Sequence, residues 1–328
     1  VDDSGRRIED EQTLARIREL AVPPAWRDVW ICPDPRGHLQ ATGVDAAGRK
    51  QYLYHAVWRE LRDRQKFRDM EEFAAALPRL RRGVREELAA TDELTRERVL
   101  ACAVRLLDLG LFRIGSEEYA EQGGGLGLST LQREHLTISG DEATFDYPGK
   151  SGVRRRHTLR DPEILPILVA LKRRRGAPPQ LLAHRDGRRW GPIRSDDIND
   201  YIKSLIGDAF SAKDFRTWNA TVLAATFLAT RGDALRSKTS RNRAMSAVAR
   251  EVSEVLGNTP AVARRSYIDP RVFDRYLSGW TVAPAMSGVA RLDETPEDKR
   301  RRLERAVLDL LDERDSAAIE VVEPAVAV

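Results

Sequence analysis

The sequence predicts an α+β protein in two parts: a small antiparallel β-rich lobe over residues 1–64, then a larger, mainly α-helical domain over residues 65–328 that contains a three-stranded β meander. Three observations predict it. Prolines and glycines punctuate residues 23–57 (Pro23-Pro24, Pro33, Pro35, Gly37, Gly43, Gly48) and leave short β-prone pieces between them. From about Ala56 onward apolar residues recur at helical spacing. Within that helical part, residues 136–159 alternate in three runs separated by two tight turns.

In the first part the strand candidates are Val29-Trp30-Ile31, His38-Leu39-Gln40-Ala41-Thr42 and Gln51-Tyr52-Leu53-Tyr54. Strand alternation puts Tyr52 and Tyr54 on one face and Gln51 and Leu53 on the other, so the tyrosines either meet a ligand or fill a core. The charged stretch 59–68 marks the passage between the two parts. Thr95 is placed to N-cap a helix over 96–112 whose Val99, Ala103, Leu106 and Leu107 share a face. Gly123-Gly124-Gly125-Leu126-Gly127 lacks the spacing of a nucleotide-binding loop and reads as a flexible turn. The meander turns at Ser139-Gly140-Asp141 and again at Pro148-Gly149-Lys150-Ser151-Gly152, which leaves Lys150 exposed. Ser195 then caps a helix bearing Ile198, Tyr201, Ile202 and Leu205, and another helix begins around 214–216 with Trp218, Val222 and Ala225 inward. A helix over 244–256 stops at Gly257, suited to a left-handed cap. Thr259-Pro260 restarts a short helix that delivers Tyr267, and Thr295-Pro296 opens a last helix with Leu303, Ala306, Val307, Leu310 and Leu311 on one stripe.

Composition narrows the function classes. The 328 residues are 41% hydrophobic, ordinary for a soluble globular protein, and no run approaches the roughly 20 apolar residues of a membrane span. With no signal peptide at Val1-Asp2-Asp3-Ser4, a cytoplasmic protein is expected. Cys32 and Cys102 form neither a disulfide framework nor a zinc spacing, and the five histidines show no helical pairing. Asp196-Asp197 read as helix N-terminal charges. No cofactor and no metal is therefore expected. The net charge of +4 is unevenly spread: residues 293–328 hold 11 acidic and 6 basic groups, residues 1–292 hold 40 acidic and 49 basic. Arginine dominates, which suits phosphate and equally suits a salt-bridged surface. The stretch 236–250, with Lys238, Arg241 and Arg243, is a further basic segment. What remains for chemistry is a set of basic residues and a tyrosine, the equipment of phosphoryl transfer without a metal.

Four segments carry a resemblance: Phe112-Arg113-Ile114-Gly115, Tyr147-Pro148-Gly149-Lys150, Lys213-Asp214-Phe215-Arg216-Thr217, and Leu256-Gly257-Asn258-Thr259-Pro260 with Arg265-Ser266-Tyr267. In this order they resemble the type IB DNA topoisomerases, most of all the compact poxvirus-type and bacterial branch. Gln51-Tyr52-Leu53-Tyr54 resembles a DNA-contacting segment of that family's N-terminal lobe, so the likeness covers nearly the whole length. The resemblance implies a monomer that clamps duplex DNA and cuts one strand through a 3′-phosphotyrosyl intermediate. It implies Tyr267 as nucleophile, Arg113 and Arg216 as the clamp on the scissile phosphate, Lys150 as general acid, and Gln51, Tyr52, Tyr54, Tyr119 and Lys213 as DNA contacts. The sequence departs from the family where a histidine is frequent, nine residues before the tyrosine: Asn258 can donate a hydrogen bond there but cannot carry charge.

Each residue also has an ordinary structural reading. Tyr267 packs, Arg113 satisfies the end of the preceding helix, Arg216 pairs with Asp214, Lys150 is a solvated turn residue, and Asn258 is a polar residue at a helix end. Two other functions stay open, a tyrosine recombinase and a non-catalytic DNA-binding protein. Recombinases usually carry histidine three residues before the second arginine, where this chain has Lys213.

Overall fold

The computed structural model describes residues 4–110, 112–121, 123–176, 178–231, 237–287, 295–314 and 316–321. The chain divides into two compact units, Val1–Asp69 and Met70–Val328.

The first unit opens with α1 (Glu11–Glu19), capped where the Asp10 carboxylate accepts from the Thr13 N–H. Three strands follow, β1 (Arg27–Ile31), β2 (Leu39–Val44) and β3 (Lys50–Tyr54), in an antiparallel sheet of order β1-β2-β3. Gln40, buried, holds the β1–β2 turn by donating to the carbonyls of Asp34, Pro35 and Gly37. Arg16 ties α1 to this sheet through Gln40 Oε1 and the Cys32 carbonyl. The next helix, α2 (Ala56–Ala90), is continuous across the stretch 59–68, so the passage expected there is helix, and the division between units falls inside it.

The second unit continues with α3 (Arg96–Gly110), where Thr95 Oγ1 accepts from the Arg98 N–H, then the short α4 (Glu117–Glu121). The meander is as expected: β4 (Leu136–Ser139), β5 (Glu142–Pro148) and β6 (Arg154–Leu159), with Phe145 opposite Leu136 and His157, and Tyr147 opposite Arg155. After α5 (Leu165–Arg173) and the hairpin β7 (Ala183–Asp186) and β8 (Arg189–Pro192) come α6 (Ser195–Ile206), α7 (Ala212–Ala229), α8 (Lys238–Leu256), α9 (Pro260–Ser266) and α10 (Pro270–Leu277). A small β9 (Trp280–Thr281), α11 (Ala283–Ser287), α12 (Pro296–Leu311) and β10 (Glu320–Val321) complete it. The α+β class, with a β-rich beginning and a helical domain carrying a meander, stands.

Several local expectations are corrected. Ser195 is the first residue of α6, not its cap; its N–H and hydroxyl donate to Glu117, while Asp197 accepts from the Arg194 N–H. Helix α7 starts earlier than expected because Asp214 folds back to accept from the Ser211 N–H, and α8 starts at Lys238 because Ser237 caps it. Lys238, Arg241 and Arg243 are thus helical; Arg236 lies outside the described residues. The glycines at 123–127 do not form a free turn. A Cβ on Gly125 would sit 2.1 Å from the Gly149 carbonyl oxygen, and one on Gly127 would sit 2.4 Å from Gly115, so two backbone crossings there exclude side chains.

The core of the second unit is one cluster drawn from α2, α3, the meander, and α5 to α12, with Trp218, Tyr276, Phe73, Phe112, Phe145 and Phe215 its largest buried rings. A buried polar knot lies within it. Arg81 on α2 donates to both oxygens of Asp108 on α3 and to Glu304 on α12. Arg300 on α12 donates to the Asp108 carboxylate and carbonyl and to Asn219 on α7, which returns a bond to the Asp108 carbonyl. Burial alone would raise the Asp108 pKa, but Arg300 and Arg81 outweigh it and hold the carboxyl at about 2. Removing one partner of such a knot strands buried charge, so Asp108→Ala is expected to cost about 3–5 kcal/mol, read from the urea midpoint. The depressed pKa makes its contribution complete above the free-chain value of 3.8 and lost as pH falls toward 2. Stability of Asp108→Asn measured across that window should fall less steeply with acid than that of the wild type.

Candidate active site

The site forms around the carboxyl end of α8. A helix leaves its last carbonyls without internal partners, and the macrodipole makes that end negative. Gly257 closes α8 in the left-handed conformation (φ 64°, ψ 49°), with the Asn258 N–H donating to the Ser253 carbonyl at 2.9 Å. Three arginines, far apart in sequence, take the carbonyls that follow. Arg155 on β6 donates to Glu254 (3.0 Å) and Val255, Arg216 on α7 donates to Leu256 (2.8 Å), and Arg113 donates to Gly257 (3.1 Å) and to Asn258 Oδ1.

These anchors answer the ordinary readings of the two arginines. Arg113 serves the end of α8, not of the helix before it. Asp214 accepts from the N–H and hydroxyl of Ser211, and Arg216 donates to the Leu256 carbonyl at the end of α8. Arg216 is 4% exposed; burial, and then Arg113 beside it, pull its pKa down to about 10. Arg113 is fixed by its own backbone too, since its carbonyl accepts from Leu128 N and that of Ile114 accepts from Ser129 N. The glycine segment therefore clamps the Phe112-Arg113-Ile114-Gly115 loop, a role that reading it as a free turn missed. Its signal in the sequence was the clustering of small residues at 115, 125 and 127, which permits such close packing.

Tyr267 follows α9, whose Thr259 cap and Pro260 start are as expected. Thr221 on α7 meets the tyrosine's backbone: its one hydroxyl proton faces the carbonyls of Thr217 (3.0 Å) and Tyr267 (3.3 Å), and its oxygen accepts from the Asp269 N–H. The half-buried ring lies 5.4 Å from the Arg216 guanidinium carbon. Burial would raise the phenol pKa, but the charges of Arg216 and Arg113 and their hydrogen bonds to the hydroxyl bring it below its ordinary value. Asn258 Nδ2 is shielded from solvent and has no partner among the described residues, while its Oδ1 is taken by Arg113.

A cavity of about 380 Å³ opens onto these groups, lined by Arg113, Lys150, Lys213, Arg216 and Tyr267 among others. Lys150 heads the short 3-10 turn between β5 and β6 and is exposed, as expected, and Lys213 is exposed on the first turn of α7. Beneath the site Tyr147 is driven up to about 12 by burial, and His157 down to about 4 by burial with help from Arg155 and Arg216, so neither carries charge near neutral pH. The structure thus brings Arg113, Lys150, Lys213, Arg216, Asn258 and Tyr267 into one site.

Gln51, Tyr52 and Tyr54 belong to the first unit. Tyr52 and Tyr54 stack at 6.2 Å, Tyr54 stacks on Trp58 at 4.6 Å, and Lys50 and Arg62 lie over the outer rings. Tyr52 is 49% exposed, so this row is not a closed core stripe. Gln51 donates to Asp45. The side chain of Tyr119, on α4, lies outside the described residues.

The chain matches the family model described as eukaryotic DNA topoisomerase I, catalytic core, over residues 55–278, and that described as bacterial DNA topoisomerase IB, N-terminal domain, over residues 1–45. It is 29% identical over 267 residues to DNA topoisomerase 1B of Acanthamoeba polyphaga mimivirus, covering 78% of this chain and 77% of that one. To DNA topoisomerase 1B of vaccinia virus (strain Copenhagen) it is 20% identical over 274 residues, 81% and 82% of the two chains. With DNA topoisomerase 1 of Schizosaccharomyces pombe it shares 28% over 176 residues, 52% of this chain and 20% of that longer one. A catalytic-core match over well more than half the chain, joined to a bacterial type IB beginning, makes this protein a member of the DNA topoisomerase I family, an isomerase of the compact type IB.

Proposed function

We propose that the protein relaxes supercoiled duplex DNA by cutting and resealing one strand through a 3′-phosphotyrosyl intermediate on Tyr267, without ATP or an obligatory metal. The observation that carries this reading is the Tyr267 hydroxyl held under Arg113 and Arg216 at a cavity shared with Lys150. The phenolate oxygen attacks phosphorus as the bond to the 5′ oxygen breaks, and charge on the two non-bridging oxygens is met by two fixed guanidinium forks. Lys150 gives its proton to the departing 5′ oxygen and recovers it from the 5′ hydroxyl on resealing. A phosphodiester is exchanged for a phosphotyrosyl ester, so the free energy for resealing is conserved.

The partner is duplex DNA, gripped by a monomer acting as a clamp. Lys213 reaches the backbone near the cut, and the Tyr52–Tyr54 row with Gln51 contacts DNA from the first unit, with Tyr119 a further contact on α4. Among the described residues no helix is long and apolar enough to cross a membrane; a cytoplasmic, nucleoid-associated enzyme follows from this proposal. Lys213, where recombinases usually have histidine, favours relaxation over site-specific exchange.

Supercoiled plasmid incubated in EDTA without ATP should be relaxed, with label on the 3′ phosphate trapped on the protein, and Tyr267→Phe should lose both signals. Binding without relaxation would leave only a passive DNA-binding protein, and activity restricted to paired sites a recombinase. Tyrosinate is the attacking form, so single-turnover cleavage should rise with pH and level off below the ordinary tyrosine value of 10. In Arg216→Ala the residual activity should level off at higher pH, because the charge that acidifies the phenol is gone. For Asn258, alanine should slow cleavage by roughly 10-fold or more through loss of one oxyanion donor, while Asn258→His should retain activity; an inactive histidine variant would break the proposed equivalence of the two positions.

A further inference from the structure

We propose that Arg155 is a positioning residue that locks the turn carrying Lys150 to the carboxyl end of α8, so that general acid and arginine clamp share one rigid frame. This rests on the phosphotyrosyl reading above and adds to it a residue that the family-like segments do not include.

Arg155 lies on β6 five residues after Lys150, paired across the meander with Tyr147. Its stem passes over Gly149, the residue immediately before Lys150: a Cβ there would come within 2.6 Å of Arg155 Cγ. Its head crosses to α8, where Nη1 donates to the Glu254 carbonyl and Nη2 to that of Val255. At that end the path is again cleared by a glycine, since a Cβ on Gly257 would sit 2.5 Å from Nη1. One side chain thus spans from the root of the Lys150 turn to the helix end that holds Arg216, Arg113 and Asn258. Arg155 and Lys150 also line one inner cavity with Arg113 and Arg216.

The Lys150 turn needs such a brace. Among the described residues the turn is closed by the Gly149 N–H to the Val153 carbonyl and the Gly152 N–H to that of Gly149, its root meets the Gly125–Leu126 backbone, and Lys150 itself is exposed. A general acid must be within hydrogen-bond reach of its leaving oxygen when the bond breaks, and misplacement by an ångström removes most of its effect. Both Nη groups of Arg155 donate to carbonyls of α8, and in the proposed role it acts on the reaction through the Lys150 turn. Lysine could not replace it, since a single ammonium on a flexible stem does not hold two neighbouring carbonyls in a fixed fork.

A DNA substrate with sulfur in place of the bridging 5′ oxygen separates the possibilities, because a thiolate leaves without being protonated. Single-turnover cleavage is measured on the oxygen and sulfur substrates for wild type, Lys150→Ala, Arg216→Ala, Arg155→Ala and Arg155→Met, the methionine keeping a stem over Gly149 while removing the donors. On the oxygen substrate both Arg155 variants should be slower by roughly 10- to 100-fold, within the range a general acid supplies. On the sulfur substrate they should recover most of the wild-type rate, as Lys150→Ala does, whereas Arg216→Ala stays slow on both. Equal losses on the two substrates, or no loss on either, in both Arg155 variants would overturn the proposal. Failure of wild type to form the covalent adduct, or of sulfur to rescue Lys150→Ala, would instead bring down the reading on which it rests.

Discussion

The site depends on one contact, the carboxyl end of α8 against three arginines. Buried guanidinium groups usually sit beside carboxylates, as Arg81 does between Asp108 and Glu304. At the end of α8 the acceptors are instead the carbonyls of Glu254, Val255, Leu256 and Gly257 and the amide oxygen of Asn258. Carbonyls and the negative helix end orient a cation without neutralising it. Burial first, then Arg113, and in smaller part Arg155 lower the pKa of Arg216. In the proposed reaction a phosphate diester brings its negative charge to this end of α8.

Glycine at the points of closest approach makes this convergence possible. Gly125 meets Gly149, Gly127 meets Gly115, and Gly257 gives way to Arg155. Each contact joins a segment bearing a site residue to another, so the glycines set distances that side chains would spoil. Farther out, the Arg81, Asp108, Arg300 and Asn219 knot ties the end of α3, from which the Arg113 loop leaves, to α7 only three residues from Arg216. The same knot recruits α12, giving the C-terminal helix a part in fixing the catalytic segments.

Much of this was legible in the sequence because local chemistry decides it. Thr95, Thr259 and Thr295 cap where their side chains predict, Gly257 takes the left-handed end, and the 136–159 alternation gives the meander with its register. Ser195 misled because its hydroxyl found Glu117, a partner 78 residues away. The starts of α7 and α8 misled by a few residues because serines just outside the apolar pattern supply the caps. The segments that carry Arg113, Arg216, Lys150 and Tyr267 were legible as a resemblance, but the carbonyls that aim the arginines carry no side-chain signature. Arg155 was hidden in a run of three arginines, of which exposed Arg154 pairs with Asp146 while Arg155 turns inward.

In the proposed reaction Asn258 leaves to the cationic field the work that a base would otherwise share. Its Oδ1 accepts from Arg113, which leaves Nδ2, without a partner among the described residues, as a donor that cannot take a proton. His157, the nearest imidazole lining the inner cavity, is pressed toward its neutral form by burial and by Arg155 and Arg216, and Tyr147 is held protonated. Arg216 and Arg113 lower the phenol pKa of Tyr267, and with it they favour tyrosinate. In the proposed reaction those same two arginines bind the phosphate, which makes nucleophile activation and transition-state stabilisation one electrostatic effect, tied to where a single helix ends.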